Sequence, residues 1–193
     1  MAEARSDEPR GWGPAALDEE RGEHWDCLFP ASRLDSTPDV YSLCALLGDS
    51  SHLKSRLAEV PGIRVIDLQG DLGMVPLSEP LLREVQERWP GAVGSTHVAG
   101  VFEFLTPPVE NWVRALSKGS AIAYIETEYF GGEGFERSAI FRDSNVVLGP
   151  LDGAGAVNGA LRALGIVAKP GQEEFDVVGL GRHRSLEEWL SEA

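Results

Sequence analysis

The sequence is poor in basic residues, in cysteine and in long apolar runs, and each shortage excludes a class of protein. It has 193 residues, with 17 Lys and Arg against 31 Asp and Glu, so the formal net charge is -14. No apolar run approaches the ~18 residues that a transmembrane helix needs. The acidic first 30 residues lack the continuous apolar stretch of a secretory signal peptide. A strongly negative protein repels polyanions, which argues against nucleic acid as a partner. We therefore expect a soluble, cytoplasmic protein that binds neither membrane nor nucleic acid.

The few potential metal ligands and glycine motifs predict no cofactor. Cys27 and Cys44 form no C-x-x-C pattern and are expected to be free thiols, although a disulfide between them stays open. A structural zinc site needs about four ligands at short intervals, whereas the four histidines are scattered. The G-x-G patterns lack the strand, glycine loop and helix order of a dinucleotide site. We expect neither a metal nor an organic cofactor.

Composition divides the chain near residue 38. The first 40 residues hold ten acids against four basic residues, and the first 22 contain two prolines and three glycines with little apolar surface to bury. Such a composition predicts an acidic, largely flexible N-terminal segment over residues 1–38. Within it, residues 24–30 carry three large apolar side chains and are expected to dock on the body. Residues 39–193 are expected to form a single α+β domain.

From residue 39 onward, the apolar pattern alternates between the periods of strands and helices. Strands are predicted over residues 40–47, 63–68, 97–105, 121–130 and 137–148. Helices are predicted after Asp49, Ser78, Thr106, Gly155 and Ser185, where capping residues or glycines precede apolar stripes. Trp89 and Trp112 fall on two of these stripes and are expected to be buried. The fold predicted is α+β, a mixed sheet of five or six strands with helices mainly on one face.

A pair of glutamates on one strand of a predicted hairpin is the strongest candidate for a functional site. Glu126 and Glu128 lie two residues apart, so both point to one face of the strand, about 7 Å apart. Two carboxylates at that distance could share a metal, raise each other's pKa, or act as acid and base. Glu133 and Glu136 add two carboxylates beyond the turn, and the four together also fit an acidic surface that docks a protein. An ordinary solvated face is the third interpretation.

A small basic island, Gly181–Arg184, interrupts the acidic C-terminal third. Arg182 could hold an anion or orient a substrate carboxylate, but such arginines more often pair with acids of the same protein. His183 could act as a general base beside a nucleophile. The chain, however, has no G-x-S-x-G elbow and no signature of a reactive cysteine.

Three stretches of the C-terminal part carry a resemblance to known proteins. They are Tyr124–Ala139, the segment from Asn158 that reads NGALRALG, and the segment from Glu174 that reads EFDVVGLGRHR. In them the chain resembles small uncharacterised bacterial proteins, some of which belong with the immunity proteins of polymorphic toxin systems. The resemblance covers roughly the last 75 residues and assigns nothing to residues 1–118. It implies a binding protein that neutralises a toxin in the same cytoplasm, with no catalytic residue to carry over.

Charge and resemblance together predict a non-enzymatic, protein-binding inhibitor of the immunity type. An acidic surface can steer onto a basic toxin or effector and mask it. The expected partner-binding residues are Glu126, Glu128, Glu133, Glu136, Arg182 and His183. Two alternatives stay open. One is an enzyme with an acidic, metal-assisted site around Glu126, Glu128 and His183, and the other is a regulatory adaptor that binds a partner through Trp12 and Trp25.

Overall fold

A computed structural model describes residues 40–60, 62–89, 98, 100–130 and 132–192. The expectations for residues 1–38, including the docking of residues 24–30, lie outside these ranges, as do Cys27 and the two N-terminal tryptophans. The strands are β1 (Val40–Asp49), β2 (Ile66–Asp67), β3 (Leu72–Pro76), β4 (Ile122–Phe130), β5 (Glu133–Arg142) and β6 (Asn145–Asp152). The helices are α1 (Ser50–Leu57), α2 (Glu79–Arg88), α3 (Pro107–Leu116), α4 (Ala156–Ala163), α5 (Glu174–Val178) and α6 (Leu186–Ser191), and a 3-10 turn spans Leu180–Arg182.

The six strands form one sheet in the order β2-β3-β1-β4-β5-β6, and every neighbouring pair is antiparallel. The α+β class is thus confirmed, but the expectation of a mixed sheet is wrong. Short turns join β4 to β5 and β5 to β6, and turns of that length can connect only antiparallel strands. The long connection that carries α2 and α3 also returns the chain antiparallel to β1.

Helices cover both faces of the sheet, whereas the sequence predicts them mainly on one. Leu46, Tyr124 and Phe141 pack with α1, α2 and α3 in one core cluster. The alternate positions Leu47, Ile125 and Ile140 pack with α4, α5 and α6 in a second cluster on the opposite face. Because successive strand residues point to opposite faces, near-continuous apolar strands require a cover on each side.

Three predicted strands differ from those of the structure. The strand expected over residues 63–68 is only Ile66–Asp67, and β3 occupies a segment that its glycines predict to be a loop. Between residues 98 and 105, the described residues form turns and bends rather than a strand. The strand expected over residues 137–148 is divided by a turn at Asp143 and Ser144, whose φ angles are 50° and 64°.

The helix starts follow the capping residues of the sequence. Asp49 accepts a hydrogen bond from the His52 amide at 2.7 Å, and the Ser185 hydroxyl accepts one from the Glu188 amide at 3.3 Å. Trp112 is fully buried, as the helical stripe predicts, while Trp89 is only partly buried at the edge of the same core cluster.

Candidate functional site

The strands β1, β4 and β5 place nine side chains in three rows on the sheet face that α1, α2 and α3 cover. The inner row is Cys44, Glu126 and Arg137; the middle row is Ser42, Glu128 and Phe135; the outer row is Val40, Phe130 and Glu133. We call the six residues of the middle and outer rows the outer face. Among them Glu128, Phe130 and Glu133 are exposed, and the other three are half-buried.

Glu126 is buried and its carboxylate is fully engaged. It accepts hydrogen bonds from the amides of Glu103 (2.8 Å) and Phe104 (2.7 Å) and from the Tyr124 hydroxyl (2.6 Å). Burial raises the pKa of Glu126, although these three hydrogen bonds and the charge of Arg137 oppose the rise. The side chain therefore fastens the loop before α3 to the sheet, and it does not reach the surface on which a partner would dock.

The Cys44 thiol extends this buried network. Cys44 lies on β1, which neighbours β4, and its sulfur is 3.3 Å from the Tyr124 hydroxyl oxygen. Burial raises the pKa of Cys44 and of Tyr124, and the nearby carboxylate of Glu126 raises both further. Both groups are therefore neutral at physiological pH, and Cys44 is a free, buried thiol.

Glu128 and Glu133 are the two glutamates of the hairpin whose carboxylates face solvent. Neither carboxylate makes a hydrogen bond or an ion pair with any described residue. Phe130 lies two residues after Glu128 and directly opposite Glu133, and 64% of its surface is exposed. Within the described ranges, Phe130 is the only aromatic residue among the exposed large hydrophobic side chains.

Glu136 points to the other face of the sheet and serves the fold. It accepts a hydrogen bond from the Tyr129 hydroxyl at 2.9 Å and from the Val157 amide, in the first turn of α4, at 3.2 Å. A carboxylate at that position complements the positive end of the helix dipole. Burial and the hydrogen bond to Glu136 raise the pKa of Tyr129 to about 12.

Arg182 and His183 form a cluster with Glu192 and Trp189. The Glu192 carboxylate lies 2.7 Å from His183 Nε2 and 3.5 Å from an Arg182 guanidinium nitrogen. Both side chains also contact the Trp189 ring, the imidazole edge-on at 4.7 Å between ring centroids and the guanidinium at 5.0 Å. The basic island is therefore paired with an acid of the same chain, as the sequence analysis favours.

The structure does not bring together the residues that the enzyme alternative requires. Glu126 packs on the sheet face of α1, α2 and α3, whereas His183 contacts Trp189, which belongs to the core cluster of the opposite face. Across the described ranges, no group of three or more His, Cys, Asp or Glu side chains is placed to hold a metal ion. The acidic site around Glu126, Glu128 and His183 is therefore not formed.

Two aromatic residues of the outer face, Phe130 and Phe135, are absent from the residues expected to bind a partner. The signal for them is the period of two that places Glu126 and Glu128 on one face, because it carries Phe130 to the same face. Phe135 is found only once the register of β4 against β5 is known, since it lies opposite Glu128.

No helix in the described part of the chain combines the length and the apolar character needed to cross a membrane. The sequence matches no protein-family model and no curated protein, and the structure matches no solved structure. The resemblance to immunity proteins accordingly stays a prediction.

Proposed function

We propose that the chain is a non-enzymatic inhibitor of the immunity type, which neutralises a basic protein in the cytoplasm by covering part of its surface. The observation that carries the proposal is the outer face, where an exposed phenylalanine lies beside two exposed carboxylates that have no partner among the described residues. Glu128, Phe130 and Glu133 are the residues assigned to binding. Glu126 and Glu136 support the fold around them.

An aromatic anchor with charged neighbours is the usual composition of an energetically dominant patch in an interface. Aromatic side chains are enriched among such residues, because they bury a large area at little cost in conformational entropy. Carboxylates around the anchor add charge complementarity, which raises the association rate and selects basic partners. The net charge of -14 extends the attraction beyond the patch itself.

The outer face is held in place before any partner arrives. Strands β4 and β5 pair continuously from Ile122 opposite Phe141 to Phe130 opposite Glu133, so the hairpin is ordered up to its turn. On the β1 side of β4, Ser42 lies directly opposite Glu128 and supports the outer face there. A surface that is already ordered loses little conformational freedom on binding, which favours affinity.

The proposal is tested with charge-reversed variants of the full chain. The chain is immobilised and used to capture proteins from the native host, and each captured protein is then purified for kinetic measurements at several salt concentrations. Glu128→Lys/Glu133→Lys is compared with Glu59→Lys/Glu87→Lys, which makes the same change in net charge at two exposed glutamates, one in the turn after α1 and one in α2. Neither control carboxylate has a hydrogen bond or ion pair with a described residue.

We expect a basic protein that binds saturably and whose activity the chain inhibits. Reversal at the outer face should lower its association rate at low salt about tenfold or more and flatten the salt dependence, because steering follows the summed local charge. The control variant should lower the rate much less. If inhibition and binding rates respond equally to both double variants, the outer face is an ordinary solvated surface and the proposal is wrong.

A further inference from the structure

We infer that the outer face receives an arginine side chain of the partner, with its guanidinium flat on the Phe130 ring and its N–H groups directed to Glu128 and Glu133. This inference rests on the proposed function and names the chemical group that the surface recognises.

The neighbouring rows of the same sheet face contain an example of this arrangement. The Arg137 guanidinium lies over the Phe135 ring, with its central carbon 4.3 Å from the ring centroid. Its Nε atom is 3.5 Å from an Asp152 carboxylate oxygen, and Glu126 lies directly opposite Arg137 on β4. An arginine on a phenylalanine ring beside carboxylates is therefore a geometry that this face of the sheet already supports.

The outer row and Glu128 repeat the ring and the carboxylates of that arrangement, but without an arginine. Phe130 replaces Phe135 as the ring, Glu133 lies directly opposite it, and Glu128 is two residues away on the same strand and face. Side chains directly opposite on antiparallel strands have Cβ atoms only about 5 Å apart, so Glu133 borders the ring. On β1, this row carries Val40, which lies directly opposite Phe130 and adds an apolar neighbour rather than a charge.

Arginine fits this surface better than lysine. Its planar guanidinium can stack on a ring while its edge donates to carboxylates, whereas an ammonium group is compact and more strongly hydrated. A cation over an exposed aromatic ring contributes about 0.5–1 kcal/mol, which corresponds to roughly a two- to fivefold change in affinity. Two adjacent carboxylates add charge-assisted hydrogen bonds.

Charge favours a foreign basic protein over the two other occupants that the chain could supply. Residues 1–39 hold ten acids against four basic residues, so their net negative charge does not complement two carboxylates. A second copy of the chain carries the same net charge of -14 and is repelled as well. The experiment distinguishes both occupants from an arginine of another protein.

The test follows backbone amide resonances of the isotope-labelled full chain during titration with short blocked peptides. Three peptides of alternating glycine and a second residue are compared, in which that residue is arginine, lysine or the uncharged isostere citrulline. We expect the arginine peptide to shift the amides of residues 128–130 and 132–135 and to bind more tightly than the lysine peptide, by at most about fivefold because lysine also gains part of the attraction to the ring. The citrulline peptide should cause no saturable shift.

Three variants separate the contributions of ring and charge. Phe130→Leu keeps apolar surface but removes the aromatic face, and should abolish the preference for arginine over lysine. Glu128→Gln/Glu133→Gln should lower the affinity of both cationic peptides. Val147→Ala removes an exposed apolar group from β6 and should change neither affinity.

Several results would overturn the inference. They are equal affinity of the arginine and lysine peptides, shifts confined to other surfaces, and nuclear Overhauser contacts between the Phe130 ring and residues 1–39 in the peptide-free chain. Resonances of the outer face that move with protein concentration would assign it to a second copy. If a captured partner is sensitive to Glu128→Lys/Glu133→Lys but not to Phe130→Leu, the inhibitor function stands and the arginine site does not.

Discussion

Two glutamates of one strand have opposite roles because of what covers them. Glu126 and Glu128 share a face, as the strand period predicts, but the loop at residues 103 and 104 closes over Glu126 and leaves Glu128 in solvent. A shared metal or an acid–base pair would need both carboxylates accessible to the same ligand. The pair instead divides into a structural residue and a surface residue.

The raised pKa of Glu126 gives a prediction about stability and pH. Between the ordinary value near 4.5 and the raised value, the folded chain holds this proton more tightly than the unfolded chain does. The contribution of Glu126 to the free energy of unfolding is therefore full at low pH and is lost as pH rises through that window. Glu126→Gln has no proton to titrate.

The quantity to follow is the free energy of unfolding of the wild type minus that of Glu126→Gln. We expect this difference to decrease as pH increases above about 4.5. Urea unfolding of both chains across this range measures the difference, in which the titration of other groups cancels. A difference that is constant or that increases with pH would contradict the prediction.

At the residue scale, the sequence predicts which face a side chain occupies better than what it contacts. The period of two places Glu126 correctly, but two of its three partners come from a loop more than 20 residues earlier, in a segment whose pattern predicts a strand. The local pattern contains no information about that contact. Arg182 is simpler, because its acidic partner Glu192 is close in the sequence.

The β4–β5 hairpin depends on the absence of a side chain at Gly134. A Cβ atom at this residue would clash with the Glu128 carbonyl oxygen and would approach the Tyr129 Cα to 2.7 Å. These are backbone atoms, which cannot move without changing the strand pairing. The close packing of the two strands thus requires glycine at residue 134. This requirement is separate from the turn that the glycine-rich sequence predicts.

We expect Gly134→Ala to destabilise the chain by about 1–3 kcal/mol, as overpacking at a tight contact does. It should also increase the hydrogen exchange of amides near the hairpin end. Gly100→Ala is the matched control, because a Cβ atom there meets no atom within 4 Å, and its effect should stay within about 0.5 kcal/mol. Equal unfolding midpoints of the two variants would show that the hairpin tolerates the side chain.

Glycine also explains why β3 is missing from the predicted elements. The sequence predicts a turn at Gly73, but this residue pairs with Gly48 within the ladder between β1 and β3. A Cβ atom at residue 73 would lie 2.9 Å from the Ser50 Cα, so glycine allows β3 to approach the start of α1 closely. The turn at Asp143 and Ser144 is hidden for the opposite reason, because its positive φ angles occur without glycine.

At the scale of the whole molecule, the α+β class follows from the sequence, whereas strand direction and helix placement do not. Apolar runs identify β1 and β4 as buried strands, which is a local property. Their antiparallel pairing joins residues about 80 positions apart, and no local pattern specifies it. The antiparallel arrangement and the helical cover on both faces therefore become visible only in the structure.

The core clusters give a prediction about truncation. Among the described residues, their buried members lie between Leu43 and Trp189, and the composition of residues 1–22 offers little apolar surface to add to them. We expect deletion of residues 1–22 to leave a single cooperative unfolding transition whose midpoint temperature is within a few degrees of that of the full chain. Differential scanning calorimetry of both chains measures it, and a loss of cooperativity would show that those residues contribute to the core.

The central position of β1 has a consequence for biosynthesis. Its neighbours β3 and β4 both follow it in the chain, and β4 ends roughly 80 residues after β1. At translation rates of about 5–20 residues per second, the apolar stretch from Leu43 to Leu47 leaves the ribosome several seconds before the second of its two partner strands exists. Until β4 is complete, a nascent chain leaves at least one edge of β1 unpaired, so it is a natural substrate for chaperones that bind extended apolar segments.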